Sequence, residues 1–141
     1  MAEILGESGR QWSARPPANE RAIEHLKKIA PPGLPIEYVD LLRYSNGGEG
    51  PIALPSLYFM LYDATYAAKV NASAEQRDLY PGHFVIGSNG GLETIAFDTC
   101  NECPWPVVMY DGVAGVDSAV VIARDMSTFV RAIGLDFQQD T

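Results

Sequence analysis

Asn89-Gly90 stands between two β-rich runs, His83–Ser88 and Leu92–Asp98, and no other feature restricts the fold as much. An Asn-Gly step takes the left-handed backbone of a tight turn at little cost, so the flanking runs should pair as an antiparallel hairpin. Four further short runs read as strands. Ile52-Ala53-Leu54 and Leu57–Leu61 are split by Pro55, which suits an edge or a bend. Pro106–Tyr110 runs into an Asp111-Gly112 turn, and Ser118–Ala123 follows.

Helical spacing is confined to the flanks. Asn19 is placed to cap a helix over Glu20–Ala30, with Ala22, Ile23, Leu26 and Ile29 on one face. Glu20 in the first turn and Lys27-Lys28 in the last suit the helix dipole, and Pro31-Pro32-Gly33 stops the helix. A second helix should open with Pro35 at its first position, bury Tyr38, Leu41 and Leu42, and end at Asn46-Gly47-Gly48. Asp125 is placed to cap a last helix whose Met126, Phe129, Val130 and Ile133 share a face. Residues 62–80 fit two readings: Ala64, Ala67, Ala68 and Val70 have helical spacing, while Asn71-Ala72-Ser73 suggests a break. Residues 1–18 read as an irregular segment closed by the stiff Arg15-Pro16-Pro17-Ala18 connector, leaving 19–141 as a single domain. Helices first, a meandering antiparallel sheet in the middle and a helix last give an α+β fold.

Composition narrows the function. Eighteen acidic residues against ten basic give a net charge of −8, which repels nucleic acid and anionic membranes and attracts basic partners. No apolar run is long enough to span a bilayer, and the N-terminus lacks the basic start and apolar stretch of a signal peptide, so a cytoplasmic location is expected.

The sequence offers little catalytic machinery. Cys100-Asn101-Glu102-Cys103 has the spacing of a redox pair or half a zinc site. Pro104-Trp105-Pro106 opposes the helix that a redox pair needs, and His25 and His83 lie far off in sequence, so plain loop thiols are expected. There is no G-x-S-x-G elbow, and Asn46–Gly50 lacks the Gly-Lys-Ser/Thr of a phosphate loop. No cofactor, metal or catalysis is expected.

Leu34-Pro35-Ile36-Glu37-Tyr38 running on to Asn46-Gly47-Gly48-Glu49-Gly50 resembles the signature of the SUKH superfamily, an "LP-x-x-Y" helix followed by an "NGG" turn. Its structural motif falls here on Leu34, Pro35, Tyr38, Asn46, Gly47 and Gly48. Phe84–Glu93 resembles the family's hairpin, although Gly91-Leu92-Glu93 stands where a Gly-Asp step is more usual. Pro106–Asp111 resembles its "P-V-x-x-x-D" strand and Ala123–Val130 the start of its closing helix. The resemblance implies a partly curled antiparallel sheet of about six strands flanked by helices, and a protein-binding role. Many bacterial members are immunity proteins that neutralise toxins, often nucleases, and fungal relatives regulate cell-wall synthesis.

The acidic balance agrees with an inhibitor of a basic toxin. Carboxylates on exposed turns would carry the contact, and Glu49, Glu93, Asp98, Asp111 and Asp117 are the candidates. Each has a plainer role open to it, as a solvated surface acid or a turn cap. The alternative function is a non-catalytic regulator or scaffold bound to an endogenous partner, and a small enzyme or metal protein centred on the cysteines is the third. Exposed strand edges leave both monomer and homodimer open.

Overall fold

The computed structural model describes residues 2–100 and 103–136. One sheet organises them. Its strands are β1 (Ser13–Ala14), β2 (Gly48–Pro51), β3 (Tyr58–Leu61), β4 (His83–Ser88), β5 (Glu93–Asp98), β6 (Val107–Asp111) and β7 (Val120–Ala123). They lie side by side in sequence order, every neighbouring pair is antiparallel, and the sheet stays open. Five α-helices are described: α1 (Glu20–Ile29), α2 (Ile36–Tyr44), α3 (Ala64–Ala72), α4 (Ala74–Leu79) and α5 (Met126–Ala132). The α+β class and the Asn89-Gly90 hairpin are as expected.

The sheet has seven strands rather than about six, and its first part is shifted. Residues 1–18, expected to be irregular, contain a 3-10 helix over Ala2–Gly6 and the edge strand β1. The run Ile52-Ala53-Leu54 is not a strand: β2 ends at Pro51, and Ile52 makes only an isolated bridge with Ile133. Glycine explains the shift. Gly48 and Gly50 weaken β propensity, yet a Cβ on Gly48 would lie 2.6 Å from the Ser13 carbonyl oxygen, and one on Gly50 would run into Gln11 and Trp12. Bare backbone at these two positions lets the N-terminal segment lie against β2.

Alternation along the strands splits the apolar residues between two faces. The inner face presents Phe59, Leu61, Phe84, Ile86, Ile95, Phe97 and Val107 to a large core closed by α1, α2 and α5. Tyr38 of α2 is fully buried there, edge-on to Phe84 and Phe97, with ring centroids 6.3 and 5.5 Å away. The outer face carries a smaller cluster, Val85, Ala96, Val108 and Tyr110, covered by Tyr62, Val70, Tyr80 and Ala119. Helix α3 supplies both, giving Ala64, Ala67 and Ala68 to the core and Val70 to the outer cluster.

Residues 62–80 are therefore two helices. Asp63 caps α3 by accepting from Tyr66 N at 2.8 Å, and Ser73 caps α4. The expected caps of the flanking helices form as well. Asn19 Oδ1 accepts from Ala22 N and Asp125 Oδ1 from Thr128 N, both at 2.8 Å.

Candidate protein-binding surface

Register places six residues in one row across the sheet. Ser13 pairs with Glu49, Glu49 with Met60, Met60 with Ser88, Ser88 with Thr94 and Thr94 with Tyr110. Tyr110 belongs to the outer cluster, so the row lies on the outer face. Helices α3 and α4 roof only the Tyr110 end. From Ser13 to Thr94 the row is partly or fully open to solvent.

The strand ends and turns around this face supply its chemistry. A cleft of about 260 Å³ is lined by Ser13, Arg15, Glu49, Met60, Asp63 and the Asn46-Gly47-Gly48 turn. Tyr58 lies on the same face, two residues from Met60. Partial burial, together with the charge and hydrogen bond of Glu49, raises its phenol above the ordinary value. Tyr62 and the exposed Tyr66 meet edge-on at 4.8 Å beside the cleft. Of these residues the tyrosines are the kind enriched at protein interfaces, as are Met60 and Arg15 in the cleft.

The structural motif explains how the cleft is shaped. Pro35 is the N-cap of α2, one position earlier than the first-turn place expected for it, and Leu34 packs against the core. Asn46-Gly47-Gly48 does more than end α2. Ser45 is the C-cap, while Asn46 Oδ1 reaches across to accept from Ala64 N at 2.8 Å and so helps to start α3. Gly47 and Gly48 hold φ of 97° and 118°, which turns the chain from helix directly into β2. Beneath them Ser45 Oγ accepts from Trp12 Nε1 at 3.2 Å and Arg15 N at 2.9 Å, and donates to the Gly47 carbonyl at 2.6 Å. The motif thus joins two helices, β2 and the N-terminal segment. Burial, with a smaller effect from Asp63, pushes the Tyr38 phenol far up, as befits a core residue.

The five candidate carboxylates do not form one patch. Glu49 lies on the open outer face. Glu93 and Asp111 are direct cross-strand neighbours one step beyond Thr94 and Tyr110, so alternation turns them toward the other face. Asp117 is exposed in the 3-10 turn next to them. Asp98 lies opposite His83 at the far end of β5. Two of the five have turn-capping tasks. Asp111 Oδ1 accepts from Val113 N and Ala114 N at 2.7 and 3.2 Å, and Asp98 Oδ1 accepts from Cys100 N at 2.9 Å. Glu93 accepts from Asn89 Nδ2 at 2.9 Å across the hairpin turn. Sequence reading misses Asp63 and Tyr66, although an Asp before Ala64, Ala67 and Ala68 is a readable capping signal; Tyr58 and Tyr62, which it weighs as core or partial-core residues against interface anchors, are half-buried.

Charge is segregated by element. No Lys or Arg occurs in any of the seven strands, and every charged residue between Arg77 and Arg124 is acidic. The bases between Arg43 and Arg124 are Lys69 of α3 and Arg77 of α4.

Asn101 and Glu102, between the two cysteines, lie outside the described residues. Cys100 and Cys103 are exposed free thiols facing different carbonyls, Gly82 at 3.7 Å and Gly33 at 3.6 Å. Burial and then the neighbouring Asp98 raise the Cys100 thiol, which disfavours the thiolate that redox or metal chemistry uses. Among the described residues no three His, Cys, Asp or Glu side chains gather as metal ligands, and no helix is long and apolar enough to cross a membrane.

No curated protein matches the chain. A family model does, over residues 17–132, and this span runs from Pro17 through β2 to β7 and to the end of α5. Motif, topology and this match agree, and the chain belongs to the SMI1 / KNR4 family (SUKH-1).

Proposed function

We propose that this protein is an immunity protein of the cytoplasm, binding one cognate toxin and neutralising it by occlusion, without catalysis. Family membership supports a protein-binding role of the immunity or regulator type. The observation that carries the finer reading is the charge segregation. An extended sheet free of Lys and Arg, with Glu49 and Asp63 beside an open tyrosine-lined face, complements a toxin whose working cleft is basic, as that of a nuclease must be. Arg15 at the cleft rim leaves the local balance negative.

Affinity capture from the producing cells, followed by mass spectrometry, tests the reading. Asp98 and Asp111 hold turns, so Glu49→Lys and Asp117→Lys are the better reporters, one for the outer face and one for the Glu93–Asp117 end. A single basic toxin retained by the wild type and lost with Glu49→Lys supports the outer face as the docking site. Loss with Asp117→Lys alone moves the site to the Glu93–Asp117 end. Capture of an endogenous enzyme or envelope factor replaces the immunity reading with the regulator one. For the toxin complex, added salt should lower affinity mainly through slower association.

A further inference from the structure

Asn89-Gly90 carries a chemical liability as well as a turn. In an unconstrained chain the backbone nitrogen of a glycine, which no side chain shields, attacks the Cγ of the asparagine before it. The nitrogen gives up its proton, ammonia leaves, and a cyclic succinimide forms. Water then adds to either carbonyl of that ring and opens it. The products are Asp and its isoaspartyl isomer, in which the backbone runs through the former side chain. Gly90, Gly91 and Leu92 of the turn are exposed, so water has free access to it.

The folded chain occupies the groups that this reaction needs. Gly90 N, the nucleophile, donates to Ser88 Oγ at 3.2 Å. Asn89 Oδ1 accepts from Gly91 N at 2.9 Å and Glu93 N at 3.3 Å, and Nδ2 donates to Glu93 Oε2 at 2.9 Å. The Asn89 backbone N–H is held by the Glu93 carbonyl at 3.1 Å. Ring closure draws the amide out of its plane and takes the hydrogen from Gly90 N, so these bonds have to break first.

We infer that Asn89 is a masked modification site, which converts to Asp and isoaspartate only when the β4–β5 turn opens locally. Glu93 is the positioning residue, because its carboxylate makes the charge-assisted bond to the amide. Conversion is one-way. Asp at position 89 has no Nδ2 donor and sets a second carboxylate against Glu93, while isoaspartate lengthens the backbone inside the turn. Each converted molecule also gains a negative charge at the Glu93–Asp117 end of the sheet. None of this depends on which protein the surface binds.

The test follows conversion of the full chain near neutral pH by peptide mapping with mass spectrometry, which separates Asp from isoaspartate. Asn89 should convert roughly tenfold or more faster in guanidinium-unfolded chain than in folded chain, as masking by hydrogen bonds to a charged group implies. Circular dichroism identifies the variants that remain folded. Among these, Glu93→Ala should speed conversion by about tenfold, and Ser88→Ala, which frees Gly90 N, by less. Glu93→Gln keeps an acceptor for Nδ2 and should stay near the wild type. Equal rates in folded and unfolded wild type overturn the masking, and an Asn89 that converts in neither overturns the site. A folded Glu93→Ala or Ser88→Ala that converts no faster than the wild type overturns the assigned contacts.

Discussion

Asn71 shows how one side chain can stand in for a strand. β3 pairs with β4 only at Leu61–Gly87 and Met60–Ser88, so Val85 has no strand partner on that side. The Asn71 amide takes its place, with Nδ2 donating to the Val85 carbonyl at 2.9 Å and Oδ1 accepting from Val85 N at 2.8 Å. Nδ2 also donates to the Ala67 carbonyl at 2.8 Å, within its own helix. Only an amide offers donor and acceptor at once in this space. Asn71→Leu keeps the volume and removes both bonds, leaving two buried backbone groups unpaired. It should cost about 2–5 kcal/mol, read from the urea midpoint at constant slope. In the sequence Asn71 looked like a chain break, because asparagine more often caps or turns than bridges. Its partner is fourteen residues away and only the fold brings it near.

At the scale of elements, capping was the most legible signal. Asp125 accepts from the Thr128 backbone N–H and the Thr128 side chain, and these hydrogen bonds hold its carboxyl below the ordinary 3.8. A depressed folded value means that the stabilisation is complete above the unfolded pKa and is lost as pH falls through the folded one. Asp125→Ala should cost about 1 kcal/mol at neutral pH. Asp125→Asn should trail the wild type at neutral pH and converge with it in acid, as a series of urea titrations from roughly pH 7 to pH 2 would show. The same logic read Asn19 correctly. At Asp63 the same signal is obscured, because Asn71-Ala72-Ser73 reads as a break in the helix that Asp63 opens. That break is real but brief: α3 ends at Ala72 and Ser73 caps α4 at once.

For the molecule as a whole, the N-terminal segment is part of the core rather than an appendage. Ala2 and Leu5 are buried, and the Trp12 ring stacks on Phe59 with centroids 6.0 Å apart. Arg10 Nη1 donates to the Arg131 and Ile133 carbonyls at 2.6 and 2.8 Å, satisfying the end of α5. Gln11 N donates to the Gly134 carbonyl at 2.8 Å. The family match begins only at residue 17, yet these contacts tie residues 2–14 to β2, β3 and α5. Deleting residues 2–14 should therefore lower the unfolding free energy by about 4–6 kcal/mol, a large share of the usual 5–15 kcal/mol. Calorimetry of the truncated chain should show a much lower Tm or no cooperative transition.

Local chemistry determined what could be read without coordinates. Asn-Gly turns, proline stops, short capping side chains and three-four spacing act within a few residues, so they assign the hairpin, three of the helices and the α+β class from sequence alone. The net charge is likewise a property of the chain in any conformation. What joins distant residues was decided by tertiary structure. Gly48 and Gly50 look like poor strand formers until Trp12 and Ser13 lie against them. Glu49 and Asp63 share a cleft, while Glu93, Asp111 and Asp117 gather at another end of the sheet and Asp98 at a third place. Register decides this, because a single step along a strand carries a carboxylate to the opposite face and no local signal records which neighbour it will meet.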